Sequence, residues 1–182
     1  SITKIGDKSF AGCTSLKEII IPNSVMEIGR EAFAGCTGLI GINVATDNPN
    51  YISIDGILYN KDITILEHCP ATKTLIIIPN SVTEIRESAF VSCTGLTKVV
   101  MPNSIMKIEV GAFSGCTSLR DIVIPNSVTE IGENAFEGCT SLRDIVLPNS
   151  VTELVITISF KPVQPAKTHS PISVTELGKT IS

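Results

Sequence analysis

Residues 125–147 read P-N-S-V-T-E-I-G-E-N-A-F-E-G-C-T-S-L-R-D-I-V-L, and this 23-residue string decides the fold. Closely related strings begin at Pro22, Pro79 and Pro102, and residues 1–21 match the same unit entered at its third position. A period of about 20 to 50 residues is typical of proteins built from stacked repeats. The sequence therefore predicts a solenoid in which each unit forms one coil.

The end of each unit alternates apolar and polar residues with the period of a β-strand. In the unit that ends before Pro125, the residues predicted to point inward are Leu119, Ile122 and Ile124, and those predicted to point outward are Arg120, Asp121 and Val123. Proline lacks a backbone N–H donor, so Pro125 ends the strand. Each unit is thus predicted to contribute one strand to a parallel sheet.

The rest of the unit predicts a second short inward segment and a bend. Val128 and Ile131 supply the inward side chains, and Gly132 permits a change of direction. We expect a short helical turn at Ala135-Phe136, with the Phe ring filling the core.

Stacking would bury the apolar edge that a single coil leaves exposed. Neighbouring strands should lie about 4.8 Å apart, which aligns equivalent side chains in columns. One predicted column contains Phe10, Phe33, Phe90, Phe113 and Phe136, and another contains Leu16, Leu39, Leu96, Leu119 and Leu142.

Residues 45–78 interrupt the period. Asp55-Gly56 separates two β-prone runs, which is a strong signal for a hairpin. Asn60-Lys61-Asp62 forms a second turn, and Cys69-Pro70 leads back to the repeats. We expect a small antiparallel excursion from the solenoid.

The C-terminal part loses the repeat. Residues 148–154 open another copy correctly, but the Ala-Phe, Gly-Cys-Thr and Leu positions are then replaced. We therefore expect a solenoid over residues 1–161 and a degenerate repeat or frayed tail over residues 162–182. The units of the solenoid are 1–21, 22–44, 79–101, 102–124, 125–147 and the partial unit 148–154, with the insertion at 45–78.

The string I-P-N-S-V-T-E-I-G-x-x-A-F-x-G-C-T-S-L resembles the BspA-type leucine-rich repeat of bacterial and protist surface proteins. The N-P-N-Y-x-S-x-D-G-x-L-Y-N-K-D pattern of the insertion also recurs in that family. The resemblance covers residues 1–154 and implies a right-handed, mainly β coil with a parallel sheet on the concave side and short strands and turns on the convex side. It also implies a secreted or cell-surface protein, often associated with adhesion to host proteins.

Composition excludes several classes of partner. The net charge is −4, so no basic excess is present to hold a nucleic acid backbone. No apolar stretch approaches the roughly 18 residues of a membrane span, so we expect no membrane insertion of this segment. The N-terminus has no signal-peptide pattern and starts within a repeat, so we expect the signal and the anchor to lie outside this sequence.

We find no pattern of an active site, a metal site or a cofactor site, and we do not expect an enzyme. Five of the six cysteines, Cys69 being the exception, share one slot of the repeat, which favours buried free thiols over disulfides. His68 and Cys69 are adjacent in an extended segment, so their side chains should point to opposite faces and not form a catalytic pair. The Asp and Asn residues of the insertion are more simply explained as turn formers than as calcium ligands.

The outward positions of the strands give the candidate binding surface. An aliphatic column contains Ile20, Asn43, Ile77, Val100, Val123 and Val146, and mixed charges beside it include Arg120, Asp121, Arg143 and Asp144. Exposed apolar surface often marks an interaction site, although β-branched residues also simply suit exposed strand positions. Tyr51 and Tyr59 of the insertion either contact a partner or pack the hairpin onto the solenoid.

These observations predict a protein-binding or adhesion module that contacts an extracellular or host protein through the concave sheet or the inserted hairpin. The main alternative is a structural spacer that displays other domains and has no ligand of its own. A glycan-binding module is a weaker alternative, because only 4% of the residues are aromatic.

Overall fold

The computed structural model describes residues 1–151, 153–154, 173–176 and 179–180, and within these residues all regular structure is β-strand. The strands are β1 (Lys4–Ile5), β2 (Glu18–Ile21), β3 (Glu27–Ile28), β4 (Gly41–Val44), β5 (Tyr51–Ile54), β6 (Ile57–Asn60), β7 (Ile65–His68), β8 (Leu75–Ile77), β9 (Glu84–Ile85), β10 (Lys98–Val100), β11 (Lys107–Ile108), β12 (Asp121–Val123), β13 (Glu130–Ile131), β14 (Asp144–Leu147), β15 (Glu153–Leu154), β16 (Ser173–Glu176) and β17 (Lys179–Thr180). The predicted mainly β solenoid is confirmed.

One side of the solenoid carries the longer strands, and we call it the long-strand face, the predicted concave side. Strands β8, β10, β12, β14 and β16 form a parallel sheet there, and β2 and β4 form a separate parallel pair at the equivalent position of the first coils. Lys98 lies opposite Leu75 on one side and Asp121 on the other. Equivalent repeat positions are therefore direct neighbours, as an in-register stack requires.

The C-terminal end of this sheet includes part of the segment predicted to be degenerate or frayed. Strand β16 pairs in parallel with β14, and β17 pairs antiparallel with β16. The backbone of residues 173–176 therefore continues the sheet.

The other side of the solenoid carries strands of two residues. Strands β9, β11, β13 and β15 are parallel neighbours, with Lys107 opposite Glu84 and Glu130. Strand β7 extends this sheet from the insertion, and β1 and β3 form a separate pair.

The prediction of a helical turn at Ala135-Phe136 is wrong. Asn134 has φ 55° and Gly138 has φ 70°, and these left-handed conformations interrupt a right-handed helix. The segment instead forms successive four-residue turns, one of which is closed by the bond from the Cys139 N–H to the Phe136 carbonyl at 3.2 Å. The turns also bond between coils, with the Phe113 N–H donating to the Ala135 carbonyl at 2.7 Å.

The inward and outward positions follow the predicted alternation. Ile122 is buried, whereas Val123 beside it is 80% exposed. The rings of Phe90 and Phe113 are stacked with centroids 4.7 Å apart, and those of Phe113 and Phe136 are stacked at 5.3 Å. The predicted column therefore exists in this half of the molecule.

The insertion contains the predicted hairpin. Strands β5 and β6 pair antiparallel around Asp55-Gly56, and both turn residues have positive φ, 52° and 76°, as a type I′ turn requires. Strand β6 then pairs antiparallel with β7, and β7 pairs in parallel with β9. The excursion thus returns into the sheet of the short strands.

The hairpin divides the hydrophobic core, so the expectation of one continuous column of Phe rings needs correction. Leu58 of β6 packs into the core of the first coils, whereas Ile57 and Tyr59 pack into the core of the later coils. Consecutive residues of a strand point to opposite faces, and β6 lies between the two cores. Phe33 consequently contacts His68 of the insertion, with ring centroids 5.7 Å apart.

The second half of the insertion is a shortened coil. The Cys69 N–H donates to the Ala89 carbonyl at 2.8 Å, as the Phe90 N–H does to the Ala112 carbonyl at 2.7 Å. Cys69 therefore occupies the backbone position that Phe holds in the other coils.

The five cysteines of the shared slot are free thiols, as predicted, and Cys69 is also free. Three of them donate to the Phe carbonyl of the preceding coil: Cys36 to Phe10 at 3.0 Å, Cys116 to Phe90 at 3.2 Å and Cys139 to Phe113 at 3.2 Å. Cys13 departs from the buried pattern because it is exposed in the first coil.

Candidate interaction surface

An exposed aliphatic patch runs across neighbouring strands of the long-strand face. Ile77 is 70% exposed, Val100 lies opposite it and is 41% exposed, and Val123 is 80% exposed. Leu75 adds a further apolar side chain, at 53% exposure. The backbone of Val146 lies opposite Val123 in the sheet. We call Leu75, Ile77, Val100 and Val123 the aliphatic patch.

The structure does not bring the whole predicted column together. Ile20 and Asn43 lie opposite one another on the separate β2–β4 pair, and both are exposed. Strand β4 does not pair with β8, because the hairpin tip reaches β4 and the Gly56 carbonyl accepts the Ile42 N–H at 2.8 Å. The predicted column is therefore two separate surfaces.

The predicted charged residues border the aliphatic patch. Arg120, Asp121 and Arg143 are exposed, and Asp121 lies opposite both Lys98 and Asp144 in the sheet. Among the described side chains, Arg120, Asp121 and Arg143 form no ion pair within 4 Å.

The two tyrosines pack the hairpin onto the solenoid. Tyr51 is 7% exposed and Tyr59 is 1% exposed. The Tyr51 hydroxyl accepts the Ile28 N–H at 3.0 Å, which supplies an acceptor at the edge of β3. Burial raises the pKa of Tyr59 above its usual value. Both side chains are therefore placed in the packing of the hairpin against the solenoid.

His68 and Cys69 are both buried, with His68 7% exposed and Cys69 fully buried. Burial lowers the pKa of His68 to about 4, so the imidazole is neutral at neutral pH. The Cys69 thiol donates to the Pro70 carbonyl at 3.7 Å, and no hydrogen bond joins it to His68 among the described residues.

The asparagines of the insertion bind backbone groups. The Asn48 Oδ1 accepts the N–H groups of Asn50 and Tyr51, and its Nδ2 donates to the carbonyls of Pro22 and Val25. Asn60 Oδ1 likewise accepts two N–H groups of the following turn. Across the described ranges, no group of three or more His, Cys, Asp or Glu side chains is placed to hold a metal ion.

The short-strand side holds a partly buried ion pair that the sequence did not indicate. Arg86 donates to both carboxylate oxygens of Glu67, at 3.0 and 2.7 Å. Burial raises the pKa of Glu67, and the charge of Arg86 and its hydrogen bonds oppose that rise. Both residues line a cavity of about 20 Å³ that also contacts Phe33, Leu58 and His68. The pair is a structural feature at the junction of the two cores.

The sequence pattern also did not predict a cleft in the long-strand face. It lies between the hairpin tip and β8, and its volume is about 430 Å³. We call it the gap cleft, and its lining residues are Asp55, Ile57, Lys73, Leu75, Ile76 and Ile77. The only signal for it in the sequence is the interruption of the 23-residue period at residues 45–78.

Comparison with protein families identifies six copies of the BspA type leucine-rich repeat region, over residues 1–65 and 63–181. Comparison with curated proteins gives no match. None of the described residues forms a helix with the length and apolar character needed to cross a bilayer.

Solved structures of bacterial proteins resemble this fold. A leucine-rich repeat protein from Eubacterium ventriosum has a TM-score of 0.69 and 33% identity over 75% of this chain and 39% of its own. A leucine rich cell surface protein from Faecalibacterium prausnitzii has a TM-score of 0.64 and 32% identity over 84% of this chain and 47% of its own. The pneumococcal vaccine antigen PcpA has a TM-score of 0.67 at 24% identity, over 82% of this chain and 43% of its own, which shows a shared fold. The chain thus spans less than half the length of these three proteins.

Proposed function

Because this chain belongs to the BspA-type leucine-rich repeat family, we propose that it is a secreted or cell-surface module, without catalytic activity, that binds an extracellular or host protein through its long-strand face. The observation that carries the proposal is the aliphatic patch. Its residues lie on consecutive strands and remain exposed, while the inward residues of the same strands are buried. Solenoids commonly bind their partners on such extended surfaces.

The arrangement of charges supports a protein as the partner. The aliphatic patch is flanked by exposed Arg120, Asp121 and Arg143, so an apolar centre is bordered by charges of both signs. This is the general composition of a protein interface, in which a polar rim surrounds an apolar centre. A glycan-binding site would use aromatic platforms, and every Phe and Tyr in residues 1–151 is buried or half-buried.

A binding assay with a panel of immobilised extracellular-matrix proteins tests the proposal. A variant with Val100→Glu and Val123→Glu should bind at least about tenfold more weakly, because it places two charges in the centre of the contact surface. Val110→Glu is the matched control, since Val110 is 47% exposed and lies outside the long-strand face. Absence of saturable binding, or equal binding by the double variant and the control, would contradict the proposal.

A structural spacer is the competing function, and one observation favours it. Within the described residues, the long-strand face exposes no Tyr, Phe or Trp side chain of the kind that dominates binding hot spots. A spacer predicts that Val100→Glu and Val123→Glu leave every property of the full-length protein unchanged except solubility.

The location and the domain limits are part of the proposal. The cell-surface description of the Faecalibacterium prausnitzii protein supports surface display, and immunolabelling of intact cells that express the full-length protein tests it. We also propose that the solenoid extends over residues 1–161 and that residues 162–182 are a degenerate repeat or a frayed tail. The pairing of β16 with β14 supports the degenerate repeat. Limited proteolysis that cleaves within residues 1–161 before residues 162–182 would contradict these limits.

A further inference from the structure

Strand β8 ends its sheet with an unpaired edge. The Thr74 carbonyl accepts the Thr97 N–H at 2.8 Å, and the Ile78 N–H donates to the Val100 carbonyl at 3.0 Å. Alternate residues of a parallel strand direct their backbone polar groups to opposite sides. The N–H and C=O groups of Leu75 and Ile77 therefore face away from β10 and into the gap cleft.

The hairpin tip leaves this edge unpaired. In an uninterrupted stack β4 would pair with β8, but the Ile42 N–H is taken by the Gly56 carbonyl at 2.8 Å. Among the described residues, no strand pairs with β8 on this side, and no backbone hydrogen bond joins Leu75 or Ile77 to the tip. The gap cleft, about 430 Å³, separates the tip from the edge.

Proteins normally protect such an edge with a proline, a bulge or a covering segment. Strand β8 is Leu-Ile-Ile and contains neither a proline nor a bulge. Leu75 and Ile77 are exposed beside the edge, at 53% and 70%. An exposed apolar edge of this kind is a template for strand addition by another polypeptide.

The side chains around the edge indicate the chemistry of the added segment. Ile57 and Ile76 form the apolar floor of the gap cleft, and Lys73 and Asp55 place one charge of each sign at its rim. Aliphatic side chains at alternate positions of a new strand would lie beside Leu75 and Ile77. Neighbouring charges of both signs at one end of the segment would complement the rim.

We propose that the free edge of β8 binds an extended segment of a partner protein as an added strand, with alternating aliphatic residues that follow an acidic and a basic residue. This inference rests on the proposed function and specifies how the partner is held. The chain's own β2 region, Ser15-Leu-Lys-Glu-Ile-Ile-Ile-Pro22, has this chemistry and already pairs in parallel with β4. A synthetic peptide of residues 15–22, blocked at both ends, is therefore the probe.

Amide hydrogen exchange measured by NMR on the whole chain tests the proposal. The peptide should slow exchange at the amides of Leu75 and Ile77 at least about tenfold, because these N–H groups gain acceptors, and should leave Ile76 unchanged. Two control peptides have the same sequence and carry N-methyl groups on alternate residues, one on the odd-numbered and the other on the even-numbered residues. Each control peptide loses one set of N–H donors and keeps all its side chains. Protection that is absent, or that is equal with both N-methylated peptides, would overturn the proposal.

Two protein variants separate this proposal from the proposed function. Ile77→Pro removes a donor that faces the gap cleft and keeps the residues that bond to β10, so it should abolish peptide binding. Val110→Glu alters an exposed residue outside the long-strand face and should bind the peptide as the unmodified chain does. Peptide binding by Ile77→Pro equal to that of the unmodified chain would overturn strand addition. If Ile77→Pro fails to fold, the N-methylated peptides decide the question, and the matrix-protein assay with Val100→Glu and Val123→Glu decides the proposed function separately.

Discussion

The imidazole of His68 lies against the ring of Phe33, with 5.7 Å between the ring centroids and 54° between the ring planes. His68 therefore packs against the end of the Phe10–Phe33 stack, at the junction of the two cores. It is buried, and Phe33, Leu58, Glu67 and Arg86 line the same small cavity. A titratable side chain therefore occupies a position that is apolar in the regular coils.

His68→Phe should stabilise the protein by about 1 kcal/mol at pH 7, because a buried polar ring is replaced by an apolar ring that can fill the cavity of about 20 Å³. Urea unfolding measures the change. Phe113→His is the matched control, since it places an imidazole in an intact part of the column and should destabilise.

The His68→Phe variant should also reduce the acid sensitivity of the fold. The folded-state pKa of His68 is lowered from 6.5 to about 4, so the unfolded chain binds the proton more readily between these values. The contribution of neutral His68 to the free energy of unfolding is fully present above pH 6.5. It is lost as the pH falls toward 4, by up to roughly 3 kcal/mol. Glu67, whose pKa is raised, changes stability in the opposite direction. A His68→Phe protein whose stability falls as steeply as that of the unmodified protein would contradict this prediction.

Tyr51→Phe should destabilise the junction by about 1 to 2 kcal/mol, because the Ile28 N–H loses its acceptor at 3.0 Å and remains buried. Amide exchange at Ile28 should become faster. Tyr59→Phe is the matched control: Tyr59 is also buried, and its hydroxyl makes no hydrogen bond within the described part of the chain. Equal loss of stability in the two variants would show that the Tyr51 hydroxyl has no specific role.

Arg86→Met should destabilise by about 3 kcal/mol at neutral pH, because it leaves the carboxylate of Glu67 buried without a partner. The Glu67 side chain is 8% exposed. Loss of Arg86 raises the pKa of Glu67 further, so the destabilisation should shrink as the pH falls and the carboxyl is protonated. Lys4→Met removes the exposed Lys4–Glu27 pair and should leave the urea midpoint unchanged. A loss of stability that does not depend on pH would assign Arg86 a packing role only.

Asn48→Ala should destabilise by about 3 kcal/mol or more, because four backbone groups lose their partners at a fully buried site. The connection between the second coil and the hairpin should then exchange amide protons faster. Asp47→Ala is the control, since Asp47 is exposed beside it. If both variants unfold at the same urea concentration, the hydrogen bonds of Asn48 contribute nothing to stability.

The sequence predicted the regular coils because each position of the unit is repeated. The Phe and Leu columns, the exposed Val123 and the free cysteines all follow from a period of 23 residues and the alternation of a strand. The hairpin followed from Asp55-Gly56. These features are local or strictly periodic, and so they are visible in one sequence.

The errors arose where different residue types occupy one slot. The slot of Lys8, Glu31, Ser88, Gly111 and Asn134 has positive φ in these five coils, yet only glycine and asparagine signal that conformation. The helical turn was therefore predicted from residues that look helical and do not form a helix. Cys69 likewise fills a slot that holds Phe elsewhere.

The division of the core could not be predicted, because it depends on where the hairpin docks. The alternation in β6 predicts that Leu58 points to one face of the strand and its neighbours to the other. It does not predict that each face packs into a separate core. The gap in the long-strand face and the isolation of Ile20 from Ile77 follow from that docking.

Strand β6 gives one side chain to one core and its two neighbours to the other. Unfolding of either half would therefore expose one face of β6, while the opposite face of the same strand still packs into the core of the other half. Repeat arrays usually transmit stability from each coil to the next, and here a single strand carries that coupling across the break. The hairpin interrupts the geometry of the stack, and because β6 packs into both cores we expect the two halves to unfold cooperatively.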